Sequence, residues 1–144
     1  MTGYVSRQII EHICQDPYCR AMGIKVLKVR KGYSRVSMKV GEDMTNFHGL
    51  VHGGVIFSLA DAAFAAASNS HGVTAVALSM EISYRRAAKQ GENLFAEARE
   101  ESLGKRTSLY HITVTDEDGL VVACCHGNAY RKEERTITSR NPTG

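Results

Sequence analysis

Residues 52–69 read HGGVIFSLADAAFAAASN, and this stretch decides the fold. It opens with two glycines and continues with apolar or small residues, among which Asp61 is the single charged side chain. A helix that is apolar on every face must be buried, and an ionised carboxylate without a partner is costly in such a place. We therefore predict a buried central helix whose Asp61 has either a hydrogen-bonding partner in the fold or a chemical task.

Gly53 and Gly54 stand where this helix begins. Glycine lets another backbone or a ligand approach closely, and the free N–H groups and the dipole of a helix N-terminus favour a developing negative charge. The start of the helix is therefore a candidate site for polarising an electrophile such as a carbonyl group.

The spacing between Gly53 and Asp61 restricts how the two could act together. Eight residues correspond to roughly 12 Å along a helix axis. A reacting carbonyl needs its oxygen about 3 Å from the N–H donor and its carbon about 3–3.5 Å from the attacking group. One helix cannot supply both, but two antiparallel helices from two subunits could, and two-fold pairs are the commonest oligomers. We therefore expect a homodimer that shares its active sites.

The sequence around the helix alternates between apolar and polar residues with a period of two, which predicts strands. A short helix capped by Ser6 comes first, and the predicted strands then cover residues 24–29, 34–40, 76–84, 93–101, 107–116 and 120–131. In the third of these, Val76, Leu78, Met80, Ile82 and Tyr84 are expected on one face. Short glycine-containing links do not allow parallel crossovers, so an α+β fold is expected, with an antiparallel sheet wrapped around the central helix.

The chain of 144 residues is 43% hydrophobic, which suits one globular domain over residues 1–144, with a loosely held tail from about 132 to 144. The net charge of +3 is dispersed along the chain, and the sequence contains no Trp. Both observations argue against a nucleic-acid partner. The apolar stretch 53–67 is too short for a membrane span, and the N-terminus lacks the apolar core of a signal peptide. We expect a cytoplasmic protein without a membrane partner.

Cysteines and histidines give no metal or disulfide pattern. The four cysteines contain no CxxC pair and are expected as reduced thiols: Cys14, Cys19, Cys124 and Cys125. Four histidines are scattered, without a spacing typical of metal ligands: His48, His71, His111 and His126. Neither a GxSxG nucleophile elbow nor a P-loop is present. The sequence therefore predicts neither a metal site nor a cofactor.

Taken together, these features resemble the hotdog fold, and within it the PaaI-like acyl-CoA thioesterases of the phenylacetate degradation type. The resemblance covers nearly the whole chain and rests on NFHGLVHGG at 46–54, FSLAD at 57–61, NSHG at 69–72 and ISYRRA at 82–87. It implies that Asp61 acts as nucleophile or as general base for water, that the Gly53 N–H polarises a thioester carbonyl, and that Asn46 orients substrate or water. It also implies that Asp61 and Gly53 of one site come from two subunits, and that dimers pair into tetramers.

Five further residues are candidates for substrate binding: His52, Gly54, Ser79, Arg85 and Arg86. His52 could be a base, but its ring is better suited to holding the loop by hydrogen bonding. Ser79 lies near Ala77, a position where some relatives carry a polar side chain that assists the water. The arginines could contact coenzyme A phosphates, or form an ordinary solvated rim.

The function that we expect is hydrolysis of an acyl-CoA thioester to free acid and coenzyme A, and the resemblance implies an aromatic acyl group such as phenylacetyl. Two other hotdog functions stay open. A non-catalytic acyl-CoA sensor would not need Asp61, and a hydratase or dehydratase is expected to pair a catalytic His with a carboxylate.

Overall fold

The computed structural model describes residues 3–135 of the chain. Six strands are present: β1 Lys25–Arg30, β2 Tyr33–Lys39, β3 Val73–Tyr84, β4 Asn93–Leu103, β5 Thr107–Thr115 and β6 Val121–Arg135. They form one antiparallel sheet in the order β1-β2-β4-β5-β6-β3. The sheet wraps around one long helix, which confirms the predicted α+β hotdog fold.

Four helical segments accompany the sheet: α1 Arg7–Cys14, α2 Pro17–Met22, a 3-10 turn Glu42–Met44 and the central helix α3 Gly53–Ser68. The Ser6 hydroxyl accepts from the Ile9 N–H and begins α1, while the Asp16 carboxylate accepts from the Cys19 N–H and begins α2. Gly23, at a φ of 71°, ends α2. The cap at Ser6 is a local interaction, which explains why α1 could be predicted from the sequence.

One face of α3 packs against the inner face of the sheet. Leu59 and Phe64 on this face are almost fully buried, and the Phe64 ring meets the Tyr110 ring edge-on at 5.6 Å. The sheet can approach the helix closely where a small residue such as Gly127 faces it. A Cβ at position 127 would lie 2.7 Å from the Phe64 ring, so only glycine leaves enough room for the ring.

The other face of α3 is not covered. Gly54, Asp61 and Ala65 are exposed along it, and Phe57 and Ala62 are half-buried. The prediction that the helix is buried on every side, with Asp61 inside the fold, is therefore wrong for the single chain. The physical reason is that one sheet supplies one layer and covers only one side of the helix.

A β-bulge changes the facing of β3. Ala77 pairs with Ala129 and Ser79 with Asn128, so the register skips Leu78. Val76 and Leu78 are exposed, whereas Met80 and Ile82, further along β3, pack against the core. The expectation that all five apolar residues share one face is therefore wrong for Val76 and Leu78, because the unpaired residue shifts the alternation by one, while Met80, Ile82 and Tyr84 do share a face.

The predicted tail begins too early. Strand β6 continues to Arg135, which lies opposite Val73 of β3, so residues 132–135 belong to the sheet. Residues 136–144 lie outside the described residues. None of the helices between residues 3 and 135 combines the length and apolar character needed to cross a membrane.

Candidate active site

An open cleft of about 380 Å³ lies at the start of α3, beside the end of β3. Its lining includes four residues that the sequence singles out, Asn46, Gly53, Arg85 and Arg86, together with Tyr84. Asp61 and Ser79 are absent from the lining. The structure thus brings one half of the predicted site together within a single chain.

Most N–H groups in the first turn of α3 already have acceptors. The carbonyl oxygen of His52 accepts from the Val55 N–H at 2.9 Å, and the Nδ1 atom of His52 accepts from the Gly54 N–H at 3.1 Å. The Gly53 N–H, by contrast, has no acceptor among the described residues. Gly53, which lines the cleft, therefore offers a free donor at the positive end of the helix dipole.

His52 is thus the N-terminal cap of α3, and its backbone is extended, with φ at −62° and ψ at 136°. Its ring accepts from the Gly54 N–H and so caps the helix, while the expected role of the ring in holding the loop stays a prediction. Gly54 is exposed, but its N–H is already bonded to His52. A role in substrate binding stays a prediction for both residues.

Tyr84 is a residue of the cleft that sequence reasoning missed. Its hydroxyl donates to the carbonyl oxygen of Gly53 at 3.0 Å, and its ring lies so close that a Cβ on Gly53 would be 3.3 Å from it. Tyr84 therefore fixes the orientation of the Gly53 residue. Its only signal in the sequence is its place directly before Arg85 and Arg86.

Asn46 is held by its own loop. Its side-chain oxygen accepts from the N–H groups of His48 at 2.9 Å and Leu50 at 3.2 Å. Within residues 3–135, its side-chain amide nitrogen donates to no acceptor. The loop therefore fixes Asn46 through the oxygen and leaves two amide hydrogens for a ligand in the cleft.

Asp61 lies on the uncovered face of α3, beside α2. A hydrogen bond of 2.8 Å between the hydroxyls of Tyr18 and Ser58 ties α2 to α3 one turn before it. The apolar surroundings raise the pKa of Asp61 above its ordinary value, and the negative charge of Asp16 raises it further. The carboxylate is thus accessible and more basic than an ordinary Asp, which suits a nucleophile or a general base.

Two of the four cysteines, Cys19 and Cys125, are poorly suited to act as an alternative nucleophile. All four are free thiols. Burial raises the pKa of Cys19 to about 11, with Asp16 and Asp61 adding to the effect, and burial likewise raises the pKa of Cys125 to about 11. These two thiols are therefore protonated near neutral pH and unreactive.

The two arginines of the cleft differ. Arg86 forms an ion pair with the buried Asp116, which also accepts from the backbone of the turn between β5 and β6. Arg85 is exposed and has no ion pair with any described carboxylate. Only Arg85 therefore has its full charge available to an anionic ligand.

Ser79 does not face the central helix in the single chain, and its role in substrate binding stays a prediction. Its pairing partner Asn128 belongs to the outer face of β6, since Gly127 and Ala129 on either side of it are buried towards the helix. Ser79 therefore lies on the outer face of the sheet, away from Asp61 of its own chain. The bulge at Leu78 is the physical cause.

The histidines also require a correction. His111 and His126 are not scattered, because they are directly paired in the β5–β6 register.

Comparison with known proteins identifies the family and the fold of the chain. The sequence model of the Thioesterase superfamily matches residues 48–123. The acyl-coenzyme A thioesterase PaaI of Escherichia coli is 38% identical over 81% of this chain and 83% of its own length. Its solved structure covers 94% of this chain and 100% of its own, with a TM-score of 0.87 and 34% identity in the superposition.

Two further relatives are informative. The 1,4-dihydroxy-2-naphthoyl-CoA hydrolase of Listeria monocytogenes is 34% identical over 67% of this chain and 80% of its own. A Streptococcus mutans protein solved bound to acetyl CoA is 29% identical, with a TM-score of 0.75 over 78% of this chain and 90% of its own. Because the superfamily match spans more than half of the chain and agrees with the fold and with the likeness to PaaI, the chain belongs to the thioesterase superfamily and is a PaaI-like hotdog thioesterase.

Proposed function

We propose that this protein hydrolyses acyl-CoA thioesters to a free acid and coenzyme A. The observation that carries the proposal is the free Gly53 N–H, which begins α3 at the mouth of the cleft. A donor in this position would bind the thioester oxygen more strongly as negative charge develops on it, and this is how such donors lower a barrier. The relatives whose names specify acyl-CoA hydrolysis support this substrate class.

In the proposed reaction, the thioester oxygen accepts from the Gly53 N–H and the carbonyl carbon is attacked. Either the Asp61 carboxylate attacks directly and forms an acyl intermediate that water then hydrolyses, or it removes a proton from the attacking water. In both routes the carbon–sulfur bond breaks, and coenzyme A leaves as a thiolate that takes up a proton. The Asn46 amide would orient the substrate or the water.

The attacking Asp61 would belong to the partner subunit. Within α3, Gly53 and Asp61 are eight residues apart, roughly 12 Å along the axis, and Asp61 does not line the cleft. A two-fold related α3 that runs antiparallel would bring Asp61 of the partner subunit to Gly53. A homodimer is then the smallest active unit.

Two exposed features support such a dimer. The uncovered face of α3 is apolar or small apart from Asp61, so it gains from being covered. Strand β3 is an edge strand of twelve residues, and Val76 and Leu78 are exposed on it at 42% and 55%. A long unpaired edge with exposed apolar residues favours pairing with another strand. Pairing of dimers into a homotetramer, which the family resemblance implies, and a cytoplasmic location, which the free cysteines favour, both belong to the proposal.

Charge indicates which residues would meet the coenzyme A end of the substrate, and the relatives indicate the kind of acyl group at the other end. Arg85 would face coenzyme A phosphates, because its charge is unpaired among the described residues. Arg86, which the sequence also nominates, would act mainly by holding the turn through Asp116. An aromatic acyl group such as phenylacetyl is favoured because the Escherichia coli PaaI protein comes from the phenylacetic acid degradation operon and the Listeria monocytogenes relative is a naphthoyl-CoA hydrolase.

The first experiment is a screen of aliphatic and aromatic acyl-CoAs, in which released thiol is measured with a thiol-reactive dye. Thiol release that depends on Asp61 supports hydrolysis. A coenzyme A sensor would bind acyl-CoA without releasing thiol, and a hydratase or dehydratase would change the acyl group and keep the thioester. An aromatic preference would appear as a higher kcat/KM for phenylacetyl-CoA than for an aliphatic acyl-CoA of similar size.

The donor itself can be tested by Gly53→Pro with Gly53→Ala as its matched control. Proline removes the N–H and is well tolerated at the first position of a helix, and the extended His52 before it is compatible with proline. Alanine adds similar crowding against Tyr84 but keeps the N–H. Loss of one such donor should lower kcat about 10²–10³-fold below the alanine variant. Equal kcat in the two variants would contradict the assignment.

The shared site can be tested by mixing Gly53→Pro chains with Asp61→Asn chains. Neither homodimer has a complete site, but each heterodimer regains one of its two sites. After subunit exchange at equal amounts, roughly a quarter of the wild-type activity should return. If exchange is demonstrated and no activity returns, Gly53 and Asp61 do not combine across subunits.

A further inference from the structure

Three side chains on adjacent strands converge on the outer face of the sheet, on the opposite side from α3. Glu101 of β4, His111 of β5 and His126 of β6 each direct one donor atom at the other two. From this geometry we propose that the triad binds one divalent transition-metal ion, of the class of Zn²⁺, Ni²⁺ or Cu²⁺. The site is separate from the thioesterase cleft.

The three donor atoms form a closed triangle. His111 Nδ1 lies 3.2 Å from His126 Nε2, and Glu101 Oε1 lies 3.9 Å from the first and 3.7 Å from the second. Each of the three residues therefore uses a single atom for its contacts with the other two. The point equidistant from the three atoms lies about 2.1 Å from each of them, which matches the bond lengths of Zn²⁺ to imidazole nitrogen and to carboxylate oxygen.

The fold builds this triangle through register and through a bulge. His111 and His126 are direct partners in the β5–β6 ladder, which places their side chains on the same face. The β4–β5 ladder skips Glu101, because Glu100 pairs with Tyr110 and Ser102 with Leu109. An unpaired bulge residue points differently from its neighbours, so the carboxylate of Glu101 can reach both imidazoles.

The surrounding charges favour a cation. Glu81 of β3 is the register partner of His126 and adds a second carboxylate on this face. Arg99 is the register partner of His111 on β4, but its guanidinium is engaged elsewhere, 2.6 Å from Glu97 and over the Tyr33 ring. Two imidazoles and one carboxylate suit the later divalent metals of the first transition row, and they leave coordination positions for water or Glu81.

An ion in this place would connect β4, β5 and β6 on the face that α3 does not stabilise. Binding to the folded chain alone stabilises it by mass action. The expected consequence is a metal-dependent thermal midpoint without any change in hydrolysis, since no residue of the triad lines the cleft.

The test is titration of metal-free protein with Zn²⁺, and separately with Ni²⁺, in competition with a chromophoric chelator. We expect one ion per chain and a thermal midpoint that rises by several degrees when metal is added. His111→Gln and His126→Gln should each weaken binding tenfold or more, and Glu101→Gln should weaken it less, because the two imidazoles remain. Circular dichroism of each variant shows whether it is folded.

Two controls separate the triad from other donors. His48→Gln removes an exposed histidine elsewhere, and Cys124→Ser removes a thiol on the same face two residues before His126; both variants should bind as the wild type does. Absence of one-to-one binding of either ion would overturn the proposal. So would binding that is unchanged in the His111→Gln/His126→Gln double variant.

Discussion

The hydroxyl of Tyr84 donates to the carbonyl oxygen of Gly53 across 3.0 Å, which joins the end of β3 to the first turn of α3. In that turn, the N–H of Gly53 has no acceptor within the part of the chain that the structure describes. The strand thus positions the residue whose N–H is proposed to polarise the thioester, although Tyr84 itself need not touch the substrate.

Replacement Tyr84→Phe should therefore impair catalysis through the orientation of Gly53. Removing the hydroxyl leaves the ring in place but frees the Gly53 carbonyl, at a stability cost of about 0.5–1.5 kcal/mol. We expect a several-fold fall in kcat with little change in KM, measured by steady-state thiol release. Tyr4→Phe, an exposed tyrosine elsewhere, is the control and should retain full kcat. A Tyr84→Phe variant that loses stability and keeps its kcat would show a purely structural role.

Arg85→Gln and Arg86→Gln should separate ligand binding from stability. Arg86 pairs with the buried Asp116, so its loss should lower the free energy of unfolding by about 1–3 kcal/mol. Arg85 is exposed, so its replacement should change stability by no more than about 0.5 kcal/mol. It should instead raise KM for acyl-CoA several-fold, with a weaker dependence of KM on salt. The opposite pattern in the two variants would reverse the assignment.

Gly127→Ala should destabilise the fold without touching the cleft. A Cβ at this position would lie 2.7 Å from the Phe64 ring, and overpacking of this kind costs about 1–3 kcal/mol. Chemical denaturation measures the loss. The Gly127→Ala/Phe64→Leu double variant should lose less than the sum of the two single variants, because the smaller side chain makes room. Strict additivity would mean that the two positions are not in contact.

The sequence predicts the elements of this fold well, because their signals are local. The cap at Ser6, the alternation of the strands and the two glycines before α3 all act within a few residues of the structure that they specify. The bulges at Leu78 and Glu101 have no such local signal. Each depends on pairing with a strand that is distant in sequence, which is why the facing of Ser79 and the meeting of His111 with His126 could not be predicted.

Asp61 shows a second limit on what can be predicted from the sequence. An apolar helix indicates that its faces will be covered, but it does not say whether the cover comes from the same chain or from another. The single sheet covers the face of α3 that carries Leu59 and Phe64, and it leaves open the face that carries Asp61. Spacing along the helix remains informative, because the Gly53–Asp61 separation is fixed by helix geometry alone.

Asp16→Asn should shift the pH dependence of hydrolysis. The charge of Asp16 contributes to raising the pKa of Asp61, and asparagine removes that charge while it can still cap α2. The pKa of Asp61 should fall, so the acidic limb of the kcat/KM profile should move to lower pH. Glu11→Gln, which removes a carboxylate that pairs with Arg7 on α1, is the matched control and should leave the limb in place. An unmoved limb in Asp16→Asn would mean that another group controls it.

Asp61→Asn is expected to separate activity from stability. Asparagine keeps the shape but cannot attack or accept a proton, so kcat should fall about 10²–10⁴-fold while acyl-CoA still binds. The pKa of Asp61 is raised in the folded chain, so ionisation of this group disfavours folding, and the wild type loses stability as pH rises through that raised pKa. The variant lacks this loss and should be at least as stable as the wild type at neutral pH, with the difference vanishing below the ordinary pKa of Asp, about 3.9. A structural Asp61 would give the opposite result, a destabilised variant whose residual activity follows its folded fraction. Thermal midpoints at neutral and acidic pH, measured with kcat on the same preparation, decide between the two.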